Sequence, residues 1–129
     1  MKIPQGFRFA AVNAGVKSPE TTRLDMGLIV CSVPAEAVAV FTRNQVKAAP
    51  VRIGLRQQTA LGKVRAVLAN SGNANACTGD QGIDDAQRLI RCLADNLGIC
   101  PEEVFPMSTG VIGVRLPVER MLARVPSLV

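Results

Sequence analysis

The sequence predicts an α+β domain in which a mixed β-sheet is covered by helices. Three observations predict this class. Hydrophobic residues make up 48% of the 129 residues, which is enough for a buried core. Short β-branched runs and helical patterns interleave without the strict alternation of a doubly wound fold. No linker, internal repeat or low-complexity segment divides them, so residues 1–129 are expected to form a single domain.

Three strands are predicted near the start of the chain. Residues 7–16 mix apolar and polar positions, which is consistent with an opening strand. Residues 26–33 and 38–42 are short runs rich in β-branched residues. We interpret them as two strands joined by a short connection at 34–37.

A short helix and a buried strand are predicted next. Pro50 suits the first turn of a helix over 50–60, which Gly62 would then end. Residues 64–69 form a compact apolar run, bounded by Gly62 and Asn70. This run predicts a strand that is buried on both of its faces.

The clearest helix covers residues 83–97. Its apolar residues recur at helical spacing and form one face: Ala86, Leu89, Ile90, Leu93, Ala94 and Leu97. Gly98 is suited to the C-cap, and we interpret the apolar face as core packing. A short strand over 102–107 and a final helix over 117–125 complete the predicted elements.

The basic charge does not indicate nucleic-acid binding. Fifteen Lys and Arg against ten acidic residues give a net charge of +5. These cations are spread from Lys2 to Arg124 with no two adjacent, and Trp and Tyr are absent. A nucleic-acid interface needs clustered charge and usually aromatic stacking residues. We therefore expect no nucleic-acid partner, and solvated faces or a partner chain explain the charge better.

The cysteines predict neither a zinc site nor a disulfide framework. No pair among Cys31, Cys77, Cys92 and Cys100 has C-x-x-C spacing, and the chain contains no His. We expect reduced, buried thiols and no metal, in a reducing compartment. The start, residues 1–5, lacks the apolar segment of a signal peptide, and no apolar stretch approaches the roughly 20 residues that span a bilayer. A cytoplasmic protein without membrane contact is expected.

Two glycine-containing segments follow predicted strands. Residues 70–79 hold three Asn and two Gly, and they are interpreted as either a structural turn or a ligand-facing loop. In residues 107–113, Thr109 directly precedes Gly110. An adjacent hydroxyl and backbone N–H can converge on one oxygen, as the oxyanion of acyl transfer requires. The alternative is that Thr109 only caps the turn.

Three motifs carry a resemblance to a known family. They are residues 41–51 (FTRNQVKAAPV), residues 70–79, and residues 108–113 (STGVIG) followed by Leu116 and Pro117. In this order they closely resemble the ornithine acetyltransferase family, also called the glutamate N-acetyltransferase family. The similarity covers nearly the whole chain, as the N-terminal portion of the family's α-chain.

The resemblance implies a larger α/β fold, in which a precursor cuts itself before a Thr. That Thr, at the N-terminus of the complementary β-chain, then takes an acetyl group from N-acetylornithine and passes it to glutamate. Thr109 and Gly110 match the family's oxyanion-hole pair. An α2β2 assembly is implied. No cofactor is needed, although acetyl-CoA is a second acetyl donor in bifunctional members.

The chain departs from the family pattern because it contains no Ala-Thr cleavage step and hence no nucleophile of its own. The family's substrate-binding residues cannot be assigned to positions in it. We expect the chain to be inert alone and to associate through apolar surface at strand 64–69. A non-catalytic binding or assembly module of the same family is the main alternative. A related N-terminal-nucleophile aminopeptidase, a further alternative, would not be expected to keep all three motifs.

Overall fold

The computed structural model describes residues 4–20, 22–60 and 63–129, and within them it shows one four-stranded mixed sheet. The strands lie in chain order: β1 (Phe7–Val12), β2 (Met26–Glu36), β3 (Lys63–Asn73) and β4 (Val104–Val111). The helices are α1 (Ala49–Ala60), α2 (Gly79–Leu97) and α3 (Val118–Leu122), with 3-10 turns at Pro101–Glu103 and Val125–Ser127. The predicted α+β class is confirmed.

Pairing is antiparallel from β1 to β3 and parallel between β3 and β4. A parallel pair needs a crossover connection, and α2 lies in the one that joins β3 to β4. The predicted ending of α1 at Gly62 lies outside the described residues, as do Met1 and Lys2 at the start of the chain.

Helix α2 confirms the predicted helix, but it begins at Gly79 rather than at residue 83. Residues 79–82 carry no apolar stripe, so periodicity could not mark this first turn. Leu93 and Ala94 are fully buried, as the apolar face predicted. Gly98 adopts the left-handed conformation with φ 65°, and its N–H is directed to the carbonyls of Ala94 and Asp95, so the predicted C-cap is confirmed.

The predicted strand at 38–42 is wrong. Strand β2 continues through residue 36, and residues 37–44 form no regular element. Val38 and Val40 are 93% and 97% exposed. The β-branched composition of this run is compatible with a strand, but a strand also needs a partner, and residues 38–42 pair with none of the four strands.

The first, third and fourth strands also end elsewhere than predicted. Strand β1 stops at Val12 rather than at residue 16. Strands β3 and β4 continue past the apolar runs that predicted them, because Asn70, Ser71 and Gly72 pair with Ser108, Thr109 and Gly110. The final predicted helix is shorter in the structure, where α3 ends at Leu122.

The core lies on one face of the sheet. Met26, Leu68 and Val104 are buried there, together with side chains of α2 and α3. Directly paired residues point to the same side of a sheet. Phe9, Ile29, Val67 and Phe105 therefore form a row on the opposite side, in register across the four strands.

We call this second side, with Met107 included, the open face, since Phe9 is 54% and Met107 is 53% exposed. The prediction that strand 64–69 is buried on both faces is therefore wrong. Leu68 is buried, whereas Val67 lies half-buried on the open face. Helix α1 packs beside β4, where Gln57 Nε2 donates to the carbonyl of Val104 at 2.8 Å.

Candidate active site

Thr109 and Gly110 lie within β4, not in a loop after it. Thr109 pairs with Ser71 and Gly110 pairs with Gly72. Side chains alternate along a strand, so Thr109 points to the same side as Met107, onto the open face. The Thr109 side chain is exposed, and its hydroxyl makes no hydrogen bond to any residue that the structure describes. This hydroxyl does not cap a turn within the described chain and can donate to a ligand.

Gly110 occupies a position that only glycine fits. Its φ is 136°, a value that residues with a side chain rarely adopt. A Cβ at this position would overlap the backbone carbon of Gly72 and the nitrogen of Asn73. The two strands therefore approach each other closely beside Thr109, because neither Gly72 nor Gly110 has a side chain.

The asparagines of residues 70–79 form the support beneath this pair. Asn70, Asn73 and Asn75 are all buried. The Ser108 hydroxyl donates to Asn70 Oδ1 at 2.7 Å, and Asn70 Nδ2 donates to the carbonyl of Asn73 at 2.8 Å. The structural interpretation of this segment is therefore favoured over a ligand-facing one. These side chains are directed into the protein, where they satisfy backbone groups.

Asn75 connects the segment to the start of α2. Its backbone adopts φ 47°, which Asn tolerates better than most residues. Asn75 Nδ2 donates to the carbonyl of Gly82 at 2.7 Å, and the Thr78 hydroxyl donates to Asn75 Oδ1 at 2.8 Å. The helix is thereby held against the end of β3.

Asp25 is a supporting residue that the sequence alone did not reveal. Its buried carboxylate accepts hydrogen bonds from the N–H groups of Ala14 at 2.7 Å and Val16 at 2.6 Å. Its own carbonyl accepts the N–H of Ser71 at 2.9 Å. The 13–20 loop is thus fixed over β3, where a Cβ on Gly72 would lie 2.8 Å from the Lys17 Cβ. No local pattern marks Asp25, because its partners are distant in sequence.

An apolar groove of about 470 Å³ borders the open face next to Ser108. Phe41 and Phe105 lie in its wall with their ring centroids 6.3 Å apart. The other lining residues are almost all apolar, among them Val38, Val40, Pro50, Val51, Val64, Val67 and Met107. Motif 41–51 therefore contributes to the groove through Phe41 and through the start of α1.

No Ser-His or Cys-His pair can form a nucleophile beside Thr109, because the sequence contains no His. All four cysteines are free; Cys31 is buried and Cys92 half-buried, whereas Cys77 and Cys100 are exposed, contrary to the expectation of buried thiols. Burial, and secondly the carboxylate of Asp95, raises the pKa of the Cys92 thiol, so this thiol is protonated and unreactive near neutral pH. No three potential metal ligands cluster in the parts of the chain that the structure covers. Over the same residues, no helix has the length and apolar character needed to cross a bilayer.

Curated relatives share most of this chain. It is 51% identical over 125 residues to the arginine biosynthesis bifunctional protein ArgJ of Geobacter sulfurreducens, covering 97% of this chain and 31% of the relative. The ArgJ of Symbiobacterium thermophilum is 48% identical over 93% of the chain and 30% of the relative. The chain thus spans about 30% of the length of these relatives.

Solved structures agree with these relatives. The structure of ArgJ from Bacillus halodurans matches with a TM-score of 0.88 at 39% identity, covering 95% of this chain and 62% of that one. Ornithine acetyltransferase from Mycobacterium tuberculosis, solved in complex with ornithine, matches with a TM-score of 0.88 at 44% identity, covering 96% and 66%. The predicted resemblance is confirmed. Since the ArgJ family model also matches residues 8–129, this chain belongs to the ArgJ family.

Proposed function

We propose that this chain is the α-side part of an acetyltransferase that moves an acetyl group from N-acetylornithine to glutamate. One observation carries the proposal. The Thr109 hydroxyl is exposed on the open face, without an intramolecular partner in the described chain, and it lies beside Gly110. An exposed hydroxyl without an intramolecular partner, next to a backbone N–H, is free to act as an oxyanion donor. Family membership supports the same assignment.

The reaction proceeds in two acyl transfers. The N-terminal amine of a Thr on the complementary chain takes the proton of that Thr hydroxyl, and the oxygen attacks the acetyl carbon of N-acetylornithine. The carbonyl oxygen becomes an oxyanion, to which the Thr109 hydroxyl and the Gly110 N–H donate. Collapse breaks the C–N bond, and ornithine leaves with the proton. The amine of glutamate then attacks the acetyl-Thr ester through a second oxyanion in the same hole. The ester C–O bond breaks, the N-terminal amine passes the proton lost by the glutamate amine to the Thr oxygen, and acetylglutamate leaves.

No cofactor takes part in this cycle. Acetyl-CoA enters the proposal only as a second acetyl donor, which the resemblance to the family implies for its bifunctional members. The proposal also includes an α2β2 assembly with the complementary chain and a cytoplasmic location. Four free cysteines support a reducing compartment.

The open face is the surface to which we expect the complementary chain to bind. Exposed apolar area was expected at strand 64–69, but β3 is paired with a strand on each side. The apolar area lies instead on the open face and on Val38 and Val40. A contiguous apolar surface of this kind marks a site of protein contact.

Met107→Glu is expected to weaken binding of the complementary chain by about 10²-fold or more, because it would bury a carboxylate without a partner. Met107 is 53% exposed, so the substitution leaves the core of this chain intact. Leu24→Glu is the matched control, since Leu24 is exposed in the segment before β2. Isothermal titration calorimetry measures both dissociation constants. Equal affinities for the two variants would show that the open face is not part of the interface.

The function itself is tested by transfer of a labelled acetyl group from N-acetylornithine to glutamate. We expect no transfer by the isolated chain and transfer by its complex with a complementary chain that begins with Thr. The isolated chain lacks an activated nucleophile among its described residues, and the complex supplies one. Turnover by a verified single-chain preparation would overturn the assignment. A stable complex without turnover would instead support the non-catalytic assembly module.

A further inference from the structure

Asn73 lies where the pairing of β3 with β4 becomes irregular, next to Thr109 and Gly110. It is 3% exposed, and its backbone pairs with both Thr109 and Val111. Gly110 lies between these two partners and packs on the peptide that links Gly72 to Asn73. The backbone of Asn73 therefore contacts this pair of residues directly, from the neighbouring strand of the sheet.

The Asn73 side chain ties a third segment to this junction. Its Nδ2 donates to the carbonyls of Val114 at 3.0 Å and Arg115 at 3.1 Å. Its Oδ1 accepts the N–H of Asn75 at 2.8 Å. Both ends of the amide are thus used in backbone hydrogen bonds, which fits a structural tie and leaves little capacity for a ligand.

The segment after Gly110 needs such a tie. Gly110 and Gly113 both have positive φ, and residues 111–115 are exposed, so this turn buries no side chain that could hold it in place. Beyond Asn73, its remaining ties include the N–H of Gly113, which donates to Ala76, and the Arg115 guanidinium, which lies 3.3 Å from the buried Asp85 carboxylate. Next to Gly110, the N–H of Ala74 also donates to the carbonyl of Val111 at 2.9 Å. Asn73 is distinct because its backbone pairs on both sides of Gly110 while its amide holds Val114 and Arg115 at the far side of the turn.

We propose that Asn73 is a positioning residue of the oxyanion hole, which fixes the Gly110 N–H relative to the Thr109 hydroxyl without contacting substrate. This inference rests on the proposed function. Oxyanion donors stabilise the transition state only when they are held in place before the charge develops. A loosened turn lowers kcat and leaves substrate binding nearly unchanged, because the donors act mainly in the transition state.

Asn73→Asp, measured in the complex with the complementary chain, tests this role. The substitution keeps the size of the side chain but replaces the two N–H donors with an oxygen that faces two carbonyls. We expect kcat to fall by about 10–100-fold with KM within about threefold. Asn96→Asp is the matched chemical control, since the exposed Asn96 donates to the Cys92 carbonyl at 2.8 Å, far along α2. Leu93→Val controls for a general loss of core stability.

A double substitution separates positioning from stability alone. In a Thr109→Ala background the hole has already lost one donor, so adding Asn73→Asp is expected to cost less than it does in the parent. Thermal midpoints verify that each variant is folded at the assay temperature. Asn73→Ser, which keeps one donor, replaces Asn73→Asp if the latter does not fold.

The possible outcomes distinguish the two hypotheses. A parent complex without acetyl transfer refutes the proposed function. An active parent that loses kcat on Thr109→Ala, but keeps it in a folded Asn73 variant, refutes the positioning role alone. A loss of kcat equal to that of Leu93→Val, fully additive with Thr109→Ala, refutes it as well.

Discussion

Gly110→Ala is expected to lower kcat of the complex by at least about 10³-fold, because it would disturb both donors of the proposed oxyanion hole at once. The new Cβ would overlap the backbone of Gly72 and Asn73, so β4 must move away from β3. That movement displaces both the Gly110 N–H and the neighbouring Thr109 hydroxyl. Because φ at this position is 136°, backbone strain adds to the overlap. We expect the free energy of unfolding to fall by about 2–5 kcal/mol.

Gly98→Ala is the matched control. Gly98 also has a positive φ, of 65°, but a Cβ there would meet no atom within 4 Å. This variant should lose about 1 kcal/mol of stability and retain kcat. Steady-state kinetics and urea unfolding of both variants provide the comparison. Near-parental turnover in Gly110→Ala would show that the close approach of β3 and β4 does not matter to the reaction.

Thr109→Ala is expected to lower kcat by about 10²–10³-fold while KM changes far less, since it removes one of the two proposed oxyanion donors and leaves the Gly110 N–H. This loss corresponds to about 2.7–4 kcal/mol of transition-state stabilisation. Stability should hardly change, because the side chain is exposed and its hydroxyl has no partner in the described part of the chain. Thr109→Ser should keep much of the rate, as the donor survives.

Thr42→Ala serves as the control for loss of an exposed hydroxyl elsewhere. The Thr42 hydroxyl accepts the N–H of Asn44 at 3.2 Å, so its loss should affect only the local turn. Kinetics and thermal midpoints are measured on all three variants. A Thr109→Ala protein with near-normal kcat and reduced stability would show that Thr109 has a structural role and is no oxyanion donor.

The sequence predicted the elements whose signals are local. Helix α2 followed from an apolar stripe at helical spacing, and its end followed from Gly98, which needs no partner elsewhere in the chain. The prediction for Thr109 and Gly110 rested on their adjacency in the sequence and on the family motif around them. The structure adds that both residues lie within a strand and that the hydroxyl is exposed.

Elements that depend on pairing with a distant strand were predicted wrongly or incompletely. The run at 38–42 has strand-like composition, but strand formation requires a pairing partner, and only the assembled sheet shows that this run has none. The continuation of β4 to Val111 likewise required the backbone of β3, because polar residues and glycine carry no strand signal of their own. Sequence reasoning could not tell the core side of the sheet from the open face either, since both carry apolar side chains.

By itself, the sequence determined the α+β class and the family, and it led to the prediction that Thr109 and Gly110 form an oxyanion hole. Their support was decided only by the tertiary structure. Asp25 reaches Ala14 and Ser71, and Asn73 reaches Val114 and Arg115, across 11 to 46 residues of chain. Hydrogen bonds over such separations form only after the strands and loops have met, so no local pattern encodes them.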